Sequence, residues 1–271
     1  MGFFIEALLL ISCILPHGDL DQRILEKSNE ITLHPFDQDL YQERGELYLL
    51  HEEYLNAKRD FSYCIDHQFV NTRVLLGMSK SLLYLNNPDS ALIFIELAQP
   101  SEEENLSALE LKGAILYKLE RYCEAAINME KLLMLSSNPA PVLFLDAAKF
   151  SGSCSDPGSS ERTIQILKDG IHRLGPVGIL QKRLVSFYKQ LGRYDQAILV
   201  QTSVIESSGF KIRPYFERAQ LYVEMHLNDL AKEDLTTAIS LMDKLPDYKQ
   251  SIPSMENLRN NIIATLKELE N

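Results

Sequence analysis

The sequence predicts an all-α protein, a right-handed α-solenoid superhelix of about six helix–turn–helix units closed by a capping helix at each end. Three observations carry this reading. Ala57, Ala91 and Ala125 stand 34 residues apart, and Thr163, Ala197 and Ala231 resume the same spacing. A period of this length is that of one helical hairpin in a stacked array. The octet Tyr41-Gln42-Glu43-Arg44-Gly45-Glu46-Leu47-Tyr48 is echoed by Tyr215-Phe216-Glu217-Arg218-Ala219-Gln220-Leu221-Tyr222, 174 residues on, which is five periods and four residues more. The same four-residue surplus separates Ala125 from Thr163, so a single insertion interrupts the array. Finally, no segment alternates apolar and polar residues with β-branched enrichment, as a half-buried strand would.

The first element is an apolar run over residues 3–15, too short to span a bilayer as a helix, which takes about 20 residues. It fits the hydrophobic region of a secretory signal, although Glu6 interrupts it and no Lys or Arg precedes it. Leu10-Ile11-Ser12-Cys13 resembles a bacterial lipobox, which implies lipidation at Cys13 and a cell-envelope location. The alternative is a cytoplasmic protein in which residues 1–18 form an apolar helix packed on the first repeat. Residues 19–33 read as one helix before Pro35, in phase with the second helix of an incomplete preceding unit, and so serve as an N-terminal cap within 19–36.

The residues at the repeating phases of 38–245 resemble the tetratricopeptide repeat. That family places a small residue at the eighth position, an aromatic at the eleventh, alanine at the twentieth, a large apolar residue at the twenty-fourth and a small one at the twenty-seventh. Residues 38–71 supply Tyr41, Gly45, Tyr48, Tyr54, Ala57, Phe61 and Cys64, and residues 72–105 supply Leu75, Ser79, Leu82, Ala91, Ile95 and Ala98. Residues 106–139 supply Leu109, Gly113, Leu116, Tyr122, Ala125, Met129 and Leu132. Residues 140–177 carry the insertion and show Leu143, Ala147, Phe150, Thr163, Leu167 and Gly170. Residues 178–211 give Val185, Tyr188, Tyr194, Ala197 and Val204, and 212–245 give Tyr215, Ala219, Tyr222, Ala231, Leu235 and Ala238. The family's tryptophan is missing throughout. Small residues at these phases let helices approach closely, and no hairpin buries its apolar face without its neighbours.

The insertion falls in the turn-forming stretch 151–160 and is expected to lengthen the link inside the fourth unit. Residues 246–271 read as a C-terminal capping helix with Ser254 as its N-cap and Leu258, Ile262, Leu266 and Leu269 as one apolar stripe. Asn260, Asn261, Lys267, Glu268 and Glu270 suit the polar outer face that a terminal unit needs.

Composition bounds the function. A net charge of −11 with scattered Lys and Arg argues against nucleic acid. The six histidines form no HExxH pair, and the chain lacks a GxSxG elbow, a P-loop and a glycine-rich nucleotide fingerprint. No cofactor is implied, and the chain reads as no enzyme. Glu102-Glu103-Glu104 reads as a solvated turn between repeats. Asn105-Leu106-Ser107 matches a glycosylation sequon, relevant only in a eukaryotic secretory setting. Four cysteines are too few for a dense disulfide framework. Cys64 is expected as a buried thiol, Cys123 as partly buried and Cys154 as an exposed loop residue. With Cys13 lipidated, the remaining three are an odd number that argues against full pairing.

In the tetratricopeptide family the first helices of the repeats line a concave groove. The resemblance carried onto this sequence places Gln42, Glu43, Glu46 and Leu49 there, then Arg73, Leu76, Lys80, Leu83 and Tyr84, then Glu110, Leu111, Ala114, Tyr117 and Lys118. Phe144, Leu145 and Ala148 follow, then Lys182, Arg183, Ser186 and Lys189, and finally Phe216, Glu217 and Gln220. Such a groove is acidic at its start, apolar in the middle and basic near the fifth repeat, a pattern suited to a peptide or partner helix; Leu76, Leu111 and Phe144 equally fit core packing. The Lys and Asn set with which some relatives clamp acidic chaperone tails is not reproduced in three successive repeats, so those peptides are disfavoured. The expected function is a non-catalytic scaffold that binds a protein or peptide in the groove, exported and touching a membrane only through a lipid anchor. A cytoplasmic adaptor, a peptide-responsive regulator and an accessory subunit of an enzyme complex are the alternatives.

Overall fold

A computed structural model describes residues 17–98 and 102–270. The apolar run 3–15 and the lipidation candidate Cys13 lie outside the described residues. Among those described, all regular structure is helical. The chain divides into two compact units: residues up to 137 with 153–155, and residues 138–152 with 156–271.

The first unit opens with α1 (His17–Leu33). Three hairpins follow: α2 (Gln38–Leu50) with α3 (Tyr54–Asp66), α4 (Thr72–Tyr84) with α5 (Pro88–Leu97), and α6 (Glu102–Lys118) with α7 (Tyr122–Leu135). Each hairpin packs on the next, and the first helices α2, α4 and α6 also touch in sequence. The second unit holds α8 (Pro141–Ser153), α9 (Ser159–Leu174), α10 (Gly178–Gln190), α11 (Tyr194–Ser207), α12 (Ile212–Glu224) and α13 (Asn228–Asp243), then the short α14 (Asp247–Gln250) and α15 (Pro253–Glu270).

The repeating alanines and Thr163 are fully buried, which is the physical content of the 34-residue period. The small residues at the eighth position are as tightly placed. A Cβ on Gly45 would stand 3.0 Å from the Phe61 ring, and one on Gly113 would stand 2.7 Å from the Met129 sulfur. The first core gathers Ala57, Phe61, Val74, Met78, Leu82 and Ile95 among others. The second is built on Ile212, Ala219, Leu235, Ala238 and Met242 and is closed by Leu258 and Ile262 of α15. The stripe expected on the last helix is therefore the face it buries, and its polar positions are exposed.

Five helix hairpins turn through three residues in one conformation. Glu52, Asn86, Glu120, Gly192 and His226, the middle residue of each link, have φ between 58° and 69°. The next residue donates its N–H to the carbonyl five positions back, as in Arg121 to Leu116 and Leu227 to Tyr222, both at 2.9 Å. This is the Schellman closure, which satisfies carbonyls that a helix end leaves open. Asn71 and Asn87 cap α4 and α5 by accepting the N–H groups of Val74 and Ser90.

Three expectations are corrected and one is refined. Glu102-Glu103-Glu104 opens α6 instead of forming a turn. Ser254 lies inside the first turn of α15, which begins at Pro253, because proline is pre-set for that position. The insertion lengthens the link inside the fourth unit, as expected, but by only part of its four residues. The link between α8 and α9 is residues 154–158, two longer than the three-residue links, and α9 is two residues longer than α11. Cys154 is buried, 4% exposed, and joined to Cys123 as a disulfide with Cα atoms 4.8 Å apart. Helix α8 runs further than the turn-rich sequence suggested and carries Cys154 to this contact.

Candidate functional site, a cleft in the first unit

The first helices of the first unit form the walls of a cleft of about 630 Å³. From α2 come Glu46 and Leu49, from α4 Arg73, Leu76, Gly77, Lys80, Leu83 and Tyr84, and from α6 Ser107, Glu110, Leu111 and Ala114. Leu49, Leu76, Leu83 and Leu111 are half-buried and rest on the core from the cleft side. Leu76 and Leu111 thus serve both readings that their sequence positions allowed, core support and cleft wall.

Polar groups fix the geometry at one edge. The Asn71 amide donates to Gln42 Oε1 at 2.8 Å, and Gln42 Nε2 donates to Glu46 at 3.2 Å. Glu46 in turn accepts from the Arg73 guanidinium. Since Asn71 also caps α4, the chain of contacts ties the start of α4 to α2 and holds Arg73 as a neutralised pair. At the other end Tyr84 is 56% exposed, yet its ring stacks on Tyr54, centroids 4.4 Å apart and planes 6° from parallel. Burial in this stack, with Glu52 nearby, pushes the Tyr54 phenol above its ordinary range. Tyr84 is thus a rigid aromatic wall with a free face.

Of the residues expected in a groove, Glu46, Leu49, Arg73, Leu76, Lys80, Leu83, Tyr84, Glu110, Leu111 and Ala114 meet in this cleft. Tyr117 does not line it; its ring lies against Tyr122, centroids 5.1 Å apart. Lys182 and Arg183 lie on α10, the former exposed and the latter half-buried. Phe144 and Phe216 are core residues, 1% and 8% exposed. Phe144 sinks against Gly170, where an added Cβ would stand 2.8 Å from its ring, and Phe216 belongs to the second core. A large ring at a groove phase turns inward when a neighbouring helix leaves it a slot. Glu43 is drawn aside to pair with Lys27 of α1 at 2.7 Å.

Gly77 and Ser107 line the cleft and were not anticipated. Both stand at groove phases, but a side chain so small offers no chemistry to single it out. Equally unanticipated are two matching ion pairs. Arg44 donates to both Asp60 oxygens at 2.8 Å, and Arg218 to both Asp234 oxygens at 2.7 Å. Each guanidinium lies over two tyrosines, Tyr41 and Tyr48 or Tyr215 and Tyr222, and reaches a hydroxyl of the preceding helix, Ser28 or Thr202. Cys123 and Cys154 spend their sulfurs on each other and offer no thiolate to a metal. Cys64 is buried with its thiol pushed up to about 11, chiefly by desolvation.

No family model matches the sequence, and no curated protein matches it. Solved structures do match. A tetratricopeptide repeat protein from Parabacteroides merdae superimposes with a TM-score of 0.54 at 16% identity, over 91% of this chain and 93% of that one. The C-terminal part of a TPR repeat-containing protein from Cytophaga hutchinsonii gives 0.60 at 14% identity, over 84% and 95%. With helix hairpins in the phase read from the sequence and the small residues buried where helices meet, the chain has the tetratricopeptide-repeat fold.

Proposed function

We propose that this protein is a non-catalytic interaction module that holds a segment of a partner protein in the cleft walled by α2, α4 and α6. The observation that carries the proposal is convergence: ten residues assigned to a groove from their repeat phase line one cleft of about 630 Å³. Its walls combine leucines and a rigid tyrosine with a few charged groups, the composition of a site that excludes water at its centre and orients a ligand at its rim. The test is capture of partners by the intact chain against a Tyr84→Ala variant. Tyr84 is exposed, so its truncation leaves the core in place. An aromatic anchor at an interface contributes about 2 kcal/mol or more, so capture is expected to fall at least tenfold. Equal capture by both chains counts against the cleft.

We propose as well that the protein lies outside the cytoplasm, with residues 1–18 as a lipoprotein segment whose export signal is cut before Cys13 and with Cys13 as the lipidated residue. The Cys123–Cys154 disulfide supports it, because such bonds persist in oxidising compartments and are rare in the cytosol. Metabolic labelling with a palmitate analogue is expected to mark the wild type and not Cys13→Ala. Absence of any Cys13-dependent label removes the lipid anchor.

A further inference from the structure

We infer that the segment this cleft receives carries one side-chain carboxylate beside apolar residues, and that Lys80 is the group that reads it. The inference rests on the cleft being the binding site. Four charged residues line the cleft: Glu46, Arg73, Lys80 and Glu110. Glu46 and Arg73 neutralise each other. Lys80 and Glu110 make no ion pair or hydrogen bond among the described residues. These two differ in setting, since Glu110 is exposed and Lys80 is half-buried. A solvated carboxylate gains little from a partner, as surface pairs do. A bound chain lying on a half-buried lysine takes water from its ammonium, which then needs a counter-charge, and the absence of one is penalised.

Position decides the kind of carboxylate. Lys80 stands in the body of α4, with Leu76 one turn before it and Leu83 and Tyr84 one turn after. Apolar walls continue on both sides, so a bound chain runs past Lys80 in either direction. The matching group is an Asp or Glu side chain inside a segment, with apolar side chains flanking it. Long-range attraction does not favour an acidic ligand, because the whole chain carries −11 and repels anions at a distance. The cleft therefore selects one carboxylate in an apolar context and rejects runs of acid.

The test is selection of phage-displayed dodecapeptides, which have no free carboxy terminus, on the intact chain. Wild type, Lys80→Glu and Tyr84→Ala are compared after circular dichroism shows equal helix content. Wild type is expected to enrich peptides with one Asp or Glu among Leu, Ile or Phe. Lys80→Glu is expected to reverse the charged preference to Lys or Arg and to weaken the wild-type peptides at least tenfold. Tyr84→Ala is expected to weaken both sets without changing the charge preference. If Lys80→Glu leaves the acidic preference unchanged, or wild type selects apolar peptides without acid, the role of Lys80 is overturned; loss on Tyr84→Ala would then keep the cleft as the site. If Tyr84→Ala changes nothing, or wild type enriches no peptide, the cleft and the role of Lys80 fall together.

Discussion

Arg44 and Asp60 show how a single residue's environment sets its energetics. Burial raises the Asp60 carboxyl, and the Arg44 guanidinium opposes that rise; Arg44 itself is shifted up by its bonds to Asp60. Breaking one half of such a pair leaves a buried charge uncompensated and costs about 3–5 kcal/mol, whereas replacing both halves with apolar groups of similar volume is near neutral. Arg44→Met is therefore expected to lower the urea midpoint strongly, and Arg44→Met with Asp60→Leu to recover most of the loss. A double variant as unstable as the single one would show that Arg44 acts through its tyrosines and Ser28 instead. The pair was half legible. The echoed octet places Arg44 and Arg218 at one phase, but a helix arginine is by default a solvated one. Asp60 and Asp234, each sixteen residues on, complete the motif only once both are read together.

The hairpin is the level at which sequence and structure agree most closely. Buried alanines at a fixed spacing reveal where two helices must touch, and this requirement does not depend on what surrounds the hairpin. The links are less legible, because the left-handed residue is glycine only at Gly192 and is Glu, Asn or His in the other four. The Schellman hydrogen bonds impose the conformation whatever the side chain. At Gly192 a Cβ would meet nothing within 4 Å, so Gly192→Ala tests backbone strain alone. A left-handed alanine costs about 1–2 kcal/mol, and the stiffer unfolded chain offsets about 0.4–1 kcal/mol of that. Net destabilisation of about 1 kcal/mol is expected by chemical denaturation, with His226→Gly moving in the opposite direction. Groove phase, by contrast, tells which face a residue takes and not whether a neighbour covers that face. Phe144 satisfied the phase and was lost to the core because Gly170 makes room for its ring.

At the scale of the whole chain, stacked hairpins have no single centre, and stability is approximately the sum of neighbouring interfaces. A covalent link between distant positions therefore adds a term that the repeats do not provide. The Cys123–Cys154 bond closes a stretch of 31 residues, and in the chain-entropy view a loop of that size contributes about 3–4 kcal/mol by restricting the unfolded state. Neither cysteine belongs to a recognisable spacing, and Cys154 lies within a turn-rich stretch, so their meeting depended on how far α8 extends. Replacing both, Cys123→Ser with Cys154→Ser, is expected to reduce stability by about 3 kcal/mol in guanidinium unfolding followed by circular dichroism. Wild type unfolded with a reducing agent should follow the double variant, since Cys64, the third described cysteine, is buried and unpaired. Because repeat arrays lose cooperativity in stages, the shift should be confined to part of the transition and absent from the remainder. Superimposable curves for oxidised wild type and the double variant would mean that the bond restrains nothing in the unfolded chain, and would remove the support it gives to an oxidising location.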